Sequence, residues 1–367
     1  MKPTQRLHDL GQRLWLDNIT RELIENGALK RYISEFSITG LTSNPTIFGQ
    51  AIRNGDAYDA AIRQNAREGQ SGEGLFLELA LDDLRQAADL FRPVYDATEG
   101  VDGWVSLEVS PLLANDTTAS VNEAARLHAL AQRPNLFIKI PGTPDGMAAI
   151  EESIFAGVPI NVTLLFSREQ YIAAAEAYMR GIDRRILAGL DPKVASVASL
   201  FVSRWDKAVI DKVPAALRNR LGLAVAQRTY RAYCKLLTEP RWKRLAHSGA
   251  RPQRLLWAST GAKDPKASDT LYVEALAAPD TINTMPEQTL RAYAEHGVLR
   301  GAMTSDGGDA DAMLGRFTQA GIDIEALALQ LQRDGAQAFV KSWQELLARI
   351  ADKTTSLARC GAGGGST

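Results

Sequence analysis

The chain has 367 residues, of which 45% are hydrophobic and 23% charged, and its formal net charge is −1. This composition is typical of a folded globular protein, and the charge balance argues against a nucleic-acid or membrane-surface protein, which would carry a basic excess. The two cysteines lie far apart without a CxxC partner, which excludes a disulfide framework and a zinc ribbon. Neither a signal peptide nor a run of about 18 apolar residues occurs, so we expect a cytoplasmic protein.

Short apolar runs recur along the chain, and longer amphipathic stretches separate most of them. We predict strands at Leu14–Ile19, Ile38–Thr42, Val105–Val109, Leu136–Ile140, Ile160–Leu165, Val194–Phe201, Leu255–Ser259 and Thr281–Thr284. Strands that alternate with helical patterns indicate βα units and a parallel sheet. The eight runs favour a protein of the α/β class with a (β/α)8 TIM barrel and additional helices, although the length also permits a doubly wound sheet.

Several helices have clear start signals. Thr143 as a cap and Pro144 at the first helical position predict a helix over Pro144–Phe155. Ser167 and Gln170 form a capping box, which predicts a helix that continues to about residue 187.

The domain organisation follows from the segments outside the barrel strands. We predict a single domain over residues 1–358, with a helix-rich insertion at about 54–91, between the second and third strands. Ile324–Ile350 has apolar residues at helical spacing around Gly335 and predicts two closing helices. Residues 359–367, which end in GAGGGST, have the composition of a flexible linker or tail.

Polar residues interrupt or follow the predicted strands near their C-terminal ends, where (β/α)8 barrels carry their reactive groups. The residues in such positions are Asp17, Thr42, Ser43, Asn44, Glu108, Lys139, Asn161, Thr163, Ser199, Arg204 and Ser259. A lysine, two carboxylates, amides and hydroxyls at one mouth match covalent chemistry on a carbonyl substrate.

Lys139 is the candidate nucleophile of this set. A lysine inside a barrel strand is removed from water, which favours the neutral amine that attacks a ketone to form an imine. The alternative is a surface lysine whose stem covers apolar surface. Asp17 and Glu108 can supply the proton transfers of imine chemistry, or else Asp17 caps the next helix and Glu108 pairs with a basic neighbour.

Amide and hydroxyl side chains are candidates for substrate contacts. Asn44 precedes Pro45 and can equally well begin a helix. Asn161 and Thr163 are two residues apart and share one face of their strand, which must face the barrel interior if Thr163 contributes. A structural pair that satisfies backbone groups is the alternative.

A phosphate site is predicted near the sixth and seventh strands. The guanidinium of Arg204 matches phosphate oxygens, and Ser259 ends the seventh strand, where barrels often hold phosphate. Lys263 and Lys266 could add charge to this site, or belong to a solvated basic loop.

Taken together, these motifs resemble the transaldolase family over nearly the whole chain. The segments that carry the resemblance are GLTSNPTIF, SLEVSP, NLFIKIPGT, INVTLLFS, SLFVSRWD, LLWAST and DTINTMP. They are most similar to the longer bacterial form, which occurs alone or fused to glucose-6-phosphate isomerase. The resemblance implies a transferase of the pentose phosphate pathway that needs no metal or cofactor. Its members move a dihydroxyacetone unit from sedoheptulose 7-phosphate to glyceraldehyde 3-phosphate.

The resemblance also implies a role for each site residue. Lys139 forms the Schiff base, Asp17 acts as acid/base, and Glu108 and Thr163 hold the catalytic water. The substrate-binding residues are Asn44, Asn161, Ser199, Phe201, Arg204 and Ser259, the last two at the phosphate. An arginine common in the family two residues after Ser259 is Gly261 here, and Lys263 is the candidate to supply its charge.

Two other functions stay open, namely a Schiff-base fructose 6-phosphate aldolase and a silent barrel that serves as a scaffold for an isomerase. Glutamate at position 108, where aldolase relatives tend to carry glutamine, favours the transaldolase. We expect phosphorylated sugars as substrates, and neither nucleic acid nor a membrane as a partner. A homodimer and a fused or partner glucose-6-phosphate isomerase domain are the candidate assemblies.

Overall fold

The computed structural model describes the backbone of residues 1–362, and eight parallel strands in it form a closed barrel. Each strand pairs with its neighbours in the sequence, and the last pairs with the first. The strands are β1 (Arg13–Asp17), β2 (Ile38–Thr42), β3 (Trp104–Glu108), β4 (Leu136–Pro141), β5 (Ile160–Leu165), β6 (Ser196–Phe201), β7 (Arg254–Ala258) and β8 (Ile282–Met285). The predicted (β/α)8 barrel is confirmed, and the doubly wound alternative is wrong.

Helices surround the barrel and cover one end of it. They are α1 (Pro3–Asp9), α2 (Arg21–Glu25), α3 (Ala28–Phe36), α4 (Pro45–Asn54), α5 (Asp59–Arg67), α6 (Gly72–Ala97), α7 (Thr117–Ala131), α8 (Gly146–Ala156), α9 (Arg168–Leu187), α10 (Ser203–Val209), α11 (Leu221–Thr238), α12 (Pro240–His247), α13 (Leu271–Ala275), α14 (Glu287–His296), α15 (Ala310–Gln319) and α16 (Ile324–Ala362). None of the helices in residues 1–362 has the length and apolar character needed to cross a membrane.

Strand boundaries differ from the predicted ones by one or two residues. The first strand ends at Asp17 rather than Ile19, because Asp17 is the last residue that pairs with β2. The sixth begins at Ser196 rather than Val194. Such shifts matter little for the site, because the side-chain alternation within each strand is unchanged.

The capping signals predicted two helix starts with different accuracy. The capping box of Ser167 and Gln170 is present at the start of α9, as expected. The helix predicted from Pro144 begins instead at Gly146, so Pro144 is not its first residue. Thr143 still stabilises the start of α8, because its hydroxyl accepts a hydrogen bond from the Gly146 N–H at 3.2 Å.

Helices α4, α5 and α6 lie between β2 and β3. The last two occupy the predicted insertion, and α6 continues past Phe91 to Ala97. At the other end of the chain, α16 continues to Ala362. Residues 363–367, the remainder of the predicted tail, lie outside the described residues.

The prediction of two closing helices around Gly335 is wrong, because α16 is one continuous helix of 39 residues. A glycine inside a helix costs about 1 kcal/mol relative to alanine. At position 335 a Cβ atom would lie 2.8 Å from Cδ2 of Leu164, so glycine allows the helix to pack directly on the end of β5. Burial of Trp343, Leu346 and Ile350 on the same helix offsets the cost of the glycine.

Aromatic side chains fill the lower part of the barrel interior. The rings of Trp104 and Phe137 stack with centroids 4.2 Å apart, and Trp15 lies 6.0 Å from Phe137. Gly40 in β2 makes room for this layer, because a Cβ there would lie 2.4 Å from the Trp15 ring. The barrel interior is therefore a packed core at this level, below the C-terminal ends of its strands.

Candidate active site

The C-terminal ends of the strands surround a cavity of about 820 Å³. Of the eleven residues to which the family resemblance assigns a role, ten line this cavity, namely Asp17, Asn44, Lys139, Asn161, Thr163, Ser199, Phe201, Arg204, Ser259 and Lys263. The eleventh, Glu108, lies directly beside Lys139. Residues from seven strands or their following loops thus meet at one mouth, although they are spread over about 250 positions of the sequence.

Lys139 occupies the centre of the cavity floor and is only 6% exposed. Strand register pairs it with Glu108 on β3 and with Asn161 on β5, so the three residues lie at one level of the barrel. Its Nζ lies 3.4 Å from Oε2 of Glu108 and donates a hydrogen bond to the Ser43 carbonyl at 3.2 Å. The surface-lysine alternative is therefore wrong, and Glu108 does pair with a basic neighbour, namely this lysine.

Asp17 is held by hydroxyl and amide groups from β2 and the residues after it. Its Oδ1 accepts a hydrogen bond from Thr42 Oγ1 at 2.9 Å, and the nearby side chain of Asn44 helps to lower the pKa of the carboxyl. Burial raises the pKa of Asp17, and the positive charge of Lys139 opposes that rise. The helix-cap alternative for Asp17 is wrong, because Thr20 caps α2.

Glu108 and Thr163 each present an oxygen to the interior. Oε1 of Glu108 and Oγ1 of Thr163 are buried and have no hydrogen-bond partner among the described residues. Burial raises the pKa of Glu108, while Lys139 lowers it by charge and by its hydrogen bond. These oxygens are therefore free to bind a water or a substrate hydroxyl close to the amine.

The amide residues have both structural and site contacts. Oδ1 of Asn44 accepts a hydrogen bond from the Ile47 N–H at 3.2 Å and thereby caps α4. The alternative that Asn44 begins a helix is therefore correct. Asn161 and Thr163 both face the interior, as required. Asn161 accepts a hydrogen bond from Ser199 Oγ at 2.8 Å and donates to Ser106 Oγ at 3.2 Å, which fixes its orientation.

A cluster of positive charges forms one wall of the cavity. Arg204, Lys207 and Lys263 all line it, and the mutual repulsion of these cations contributes to a lowered pKa of Lys263 after the larger effect of desolvation. Ser259 beside them adopts a left-handed backbone conformation (φ 56°), and its hydroxyl lies 3.0 Å from that of Ser203. A left-handed φ in a residue other than glycine is uncommon and occurs often at functional sites.

Sequence reasoning missed Lys207 and the contribution of α16. Lys207 lies one helical turn after Arg204, and this spacing was a usable signal. Leu331 and Phe339 of α16 also line the cavity, and the Phe339 ring centroid is 5.9 Å from Nζ of Lys139. No local sequence signal connects a C-terminal helix with a lysine 200 positions earlier. Lys266, by contrast, is not among the residues that line the cavity.

Comparison with known proteins agrees with this geometry. Residues 14–350 match the family model described as Transaldolase/Fructose-6-phosphate aldolase. The chain belongs to this family. A protein named Transaldolase from Thermobifida fusca (strain YX) is 46% identical over 360 residues, which cover 96% of this chain and 98% of the relative. Transaldolase from Thiobacillus denitrificans is 43% identical over 95% of this chain and its full length, and Transaldolase 1 from Streptomyces coelicolor is 43% identical over 94% and 93%.

Gly261 is the expected departure from the transaldolase family pattern, and it also lines the cavity. A Cβ at this position would lie 3.3 Å from Cγ of Pro286, so a side chain here would crowd the start of α14. Lys263 supplies a positive charge two residues later on the same wall.

Proposed function

We propose that this protein is a transaldolase that carries a dihydroxyacetone unit between sugar phosphates as an imine of Lys139. The single observation that carries the proposal is the buried amine of Lys139, which lies 3.4 Å from Glu108 in a cavity that has one cationic wall. The names of full-length relatives at 43–46% identity support the same reaction.

Imine formation begins the reaction. The neutral amine of Lys139 attacks the ketone carbon of the donor, and the resulting carbinolamine loses water to give a protonated imine. Glu108 and Thr163 present the oxygens that can hold this water, and the carboxyl of Glu108, with its raised pKa, can exchange the proton.

Carbon–carbon cleavage follows, with Asp17 as the acid/base. Its carboxylate removes the proton from the hydroxyl on the far carbon of the bond that breaks, and that carbon becomes the aldehyde. The electron pair of that bond moves into the imine, so an enamine stays on Lys139 and an aldehyde leaves. The enamine then attacks the aldehyde carbon of the acceptor, and the acceptor oxygen takes the proton back from Asp17. Addition of water to the new imine releases the product and the free amine.

The cationic wall supports phosphorylated substrates. Arg204 lines the cavity, and its guanidinium lies 5.0 Å from the ring centroid of Phe201, where it can bind an anion. Phosphate binding there orients the sugar so that its ketone carbon approaches Lys139. Cytoplasmic location and the homodimeric or isomerase-linked assembly stay predictions.

Product analysis tests the proposal against its two alternatives. Purified protein is incubated with fructose 6-phosphate, with and without erythrose 4-phosphate as the acceptor. We expect sedoheptulose 7-phosphate and glyceraldehyde 3-phosphate to appear only with the acceptor. Free dihydroxyacetone at the same rate in both reactions would indicate the aldolase, and no turnover in either would favour the scaffold.

A further inference from the structure

One side chain of α16 ties this helix to the two strands that carry the imine lysine and the water-binding threonine. Gln332 is 6% exposed, and its Nε2 donates hydrogen bonds to the carbonyls of Gly142 at 2.8 Å and Leu164 at 3.0 Å. Gly142 directly follows β4, and Leu164 lies in β5 immediately after Thr163. Both bonds join positions that are more than 160 residues apart in the sequence.

The end of β5 is irregular at the point where Gln332 binds. Leu164 has a left-handed backbone conformation (φ 60°), and the β5–β6 register shifts between Val162 and Leu165. The amide of Gln332 thus supplies a hydrogen-bond partner to a carbonyl in an interrupted part of the ladder. One turn later, Gly335 packs against the Leu164 side chain, so two contacts fix α16 on this strand.

The same helix presents apolar side chains to the cavity. Leu331, Ala338 and Phe339 line the mouth, and we call these three residues the cover. Phe339 lies two turns after Gln332 on the same helix face, with its ring 5.9 Å from Nζ of Lys139. The position of the cover above the amine therefore depends on how firmly α16 is held on β4 and β5.

We propose that Gln332 is a positioning residue whose two hydrogen bonds keep the cover over the imine. The position of the cover then decides whether the bound three-carbon unit reaches an aldehyde acceptor or is lost to water. The inference rests on the proposed function. Closing elements exclude water from reactive intermediates in many enzymes, and here the closing element is a helix fixed by one buried amide.

Two fates of the enamine on Lys139 define the measurement. In transfer, the enamine carbon bonds to the acceptor aldehyde carbon, and the aldehyde oxygen takes a proton. In loss, the enamine carbon takes a proton itself, water adds to the imine carbon, and the bond to Lys139 breaks to release dihydroxyacetone and the free amine. The ratio of dihydroxyacetone to transfer product reports the partition directly.

The test replaces Gln332 by methionine, which has a similar length but no N–H donor, and uses Gln344→Met as the matched control. Gln344 lies on the exposed face of the same helix. With fructose 6-phosphate and erythrose 4-phosphate, we expect Gln332→Met to raise the dihydroxyacetone-to-transfer ratio roughly tenfold, the equilibrium effect of one to two net hydrogen bonds. The control should keep the wild-type ratio.

The possible outcomes distinguish a failure of this inference from a failure of the proposed function. A folded Gln332→Met variant with the wild-type ratio, or a control that changes equally, would overturn the inference. If Gln332→Met does not fold, Gly335→Ala decides in the same way. Its Cβ would lie 2.8 Å from Cδ2 of Leu164 and 3.3 Å from Nη1 of Arg204, so α16 or these side chains must shift, while alanine favours the helix. A wild-type protein that neither transfers nor forms a borohydride adduct on Lys139 would overturn the proposed function itself.

Discussion

Two buried carboxylates flank one amine at the centre of the site. Burial raises the pKa of both Asp17 and Glu108, and Lys139 is the largest influence that lowers it again. Carboxyl groups with raised pKa values can accept and donate protons closer to neutral pH, which suits acid/base steps around an imine. The physical basis of the site is therefore one cavity that removes three ionisable groups from water together.

The phosphate assignment can be tested at single residues. We expect Lys263→Gln to raise KM for fructose 6-phosphate roughly fivefold with little change in kcat, the effect of one partly exposed charge-assisted hydrogen bond. Lys266→Gln is the matched control, because Lys266 lies in the same loop but does not line the cavity. Steady-state kinetics of both variants provide the measurement, and equal changes in the two KM values would contradict the assignment.

The junction between α10 and α11 shows how one carboxyl can join two elements. Asp206 in α10 accepts hydrogen bonds from the Leu221 N–H at 2.8 Å and from the Tyr272 hydroxyl at 2.8 Å. Burial raises the pKa of Asp206 from 3.8 to about 6. The native state therefore binds a proton more tightly than the unfolded chain at this position.

This shift predicts a pH dependence of stability. The contribution of Asp206 is fully present below about pH 4 and is lost as the pH rises through about 6, because the native carboxyl must then ionise while buried. Asp206→Asn removes the titration. We expect the stability of the wild type relative to this variant to fall between pH 4 and 6, by at most about 1.4 kcal/mol per pH unit. Urea unfolding at several pH values measures this difference, and a constant difference would contradict the shift.

Sequence patterns predicted the barrel elements better than the cover. Strands such as Ile38–Thr42 and Ile160–Leu165 were predicted with their observed bounds, because each buried run is a local property of the chain. The polar residues at the strand ends follow from the same runs once the barrel is assumed. The sequence predicts a break at Gly335 because its helix-breaking tendency is local, whereas its contact with Leu164 is tertiary. The roles of Phe339 and Gln332 also depend on tertiary contacts, so no local pattern indicates them.

The two ends of the barrel have different roles, with stabilising contacts at the N-terminal end and the reactive groups at the C-terminal end. At the N-terminal end, Asp102 bridges Arg13 of β1 at 2.6 Å and Arg254 of β7 at 2.8 Å, below the aromatic layer. At the C-terminal end lie the cavity and the cover. Groups at the lower end of such barrels serve stability, and groups at the upper end serve chemistry.

This division predicts separate effects of substitution. We expect Asp102→Asn to lower the free energy of unfolding by about 2–3 kcal/mol, because it leaves two arginines facing an uncharged group, while KM and kcat of the folded protein stay unchanged. Asp96→Asn is the control, since its pair with Arg92 is exposed and such pairs contribute less than about 1 kcal/mol. Denaturant unfolding and kinetics check both, and a loss of activity without a loss of stability would contradict the division.

Borohydride trapping tests the central claim most directly. The protein is reduced in the presence of fructose 6-phosphate, digested, and mapped by mass spectrometry. We predict one adduct of a three-carbon or sugar fragment on Lys139, and none in a Lys139→Ala variant that remains folded by circular dichroism. An adduct on another lysine, or no adduct in an active wild-type protein, would contradict the account.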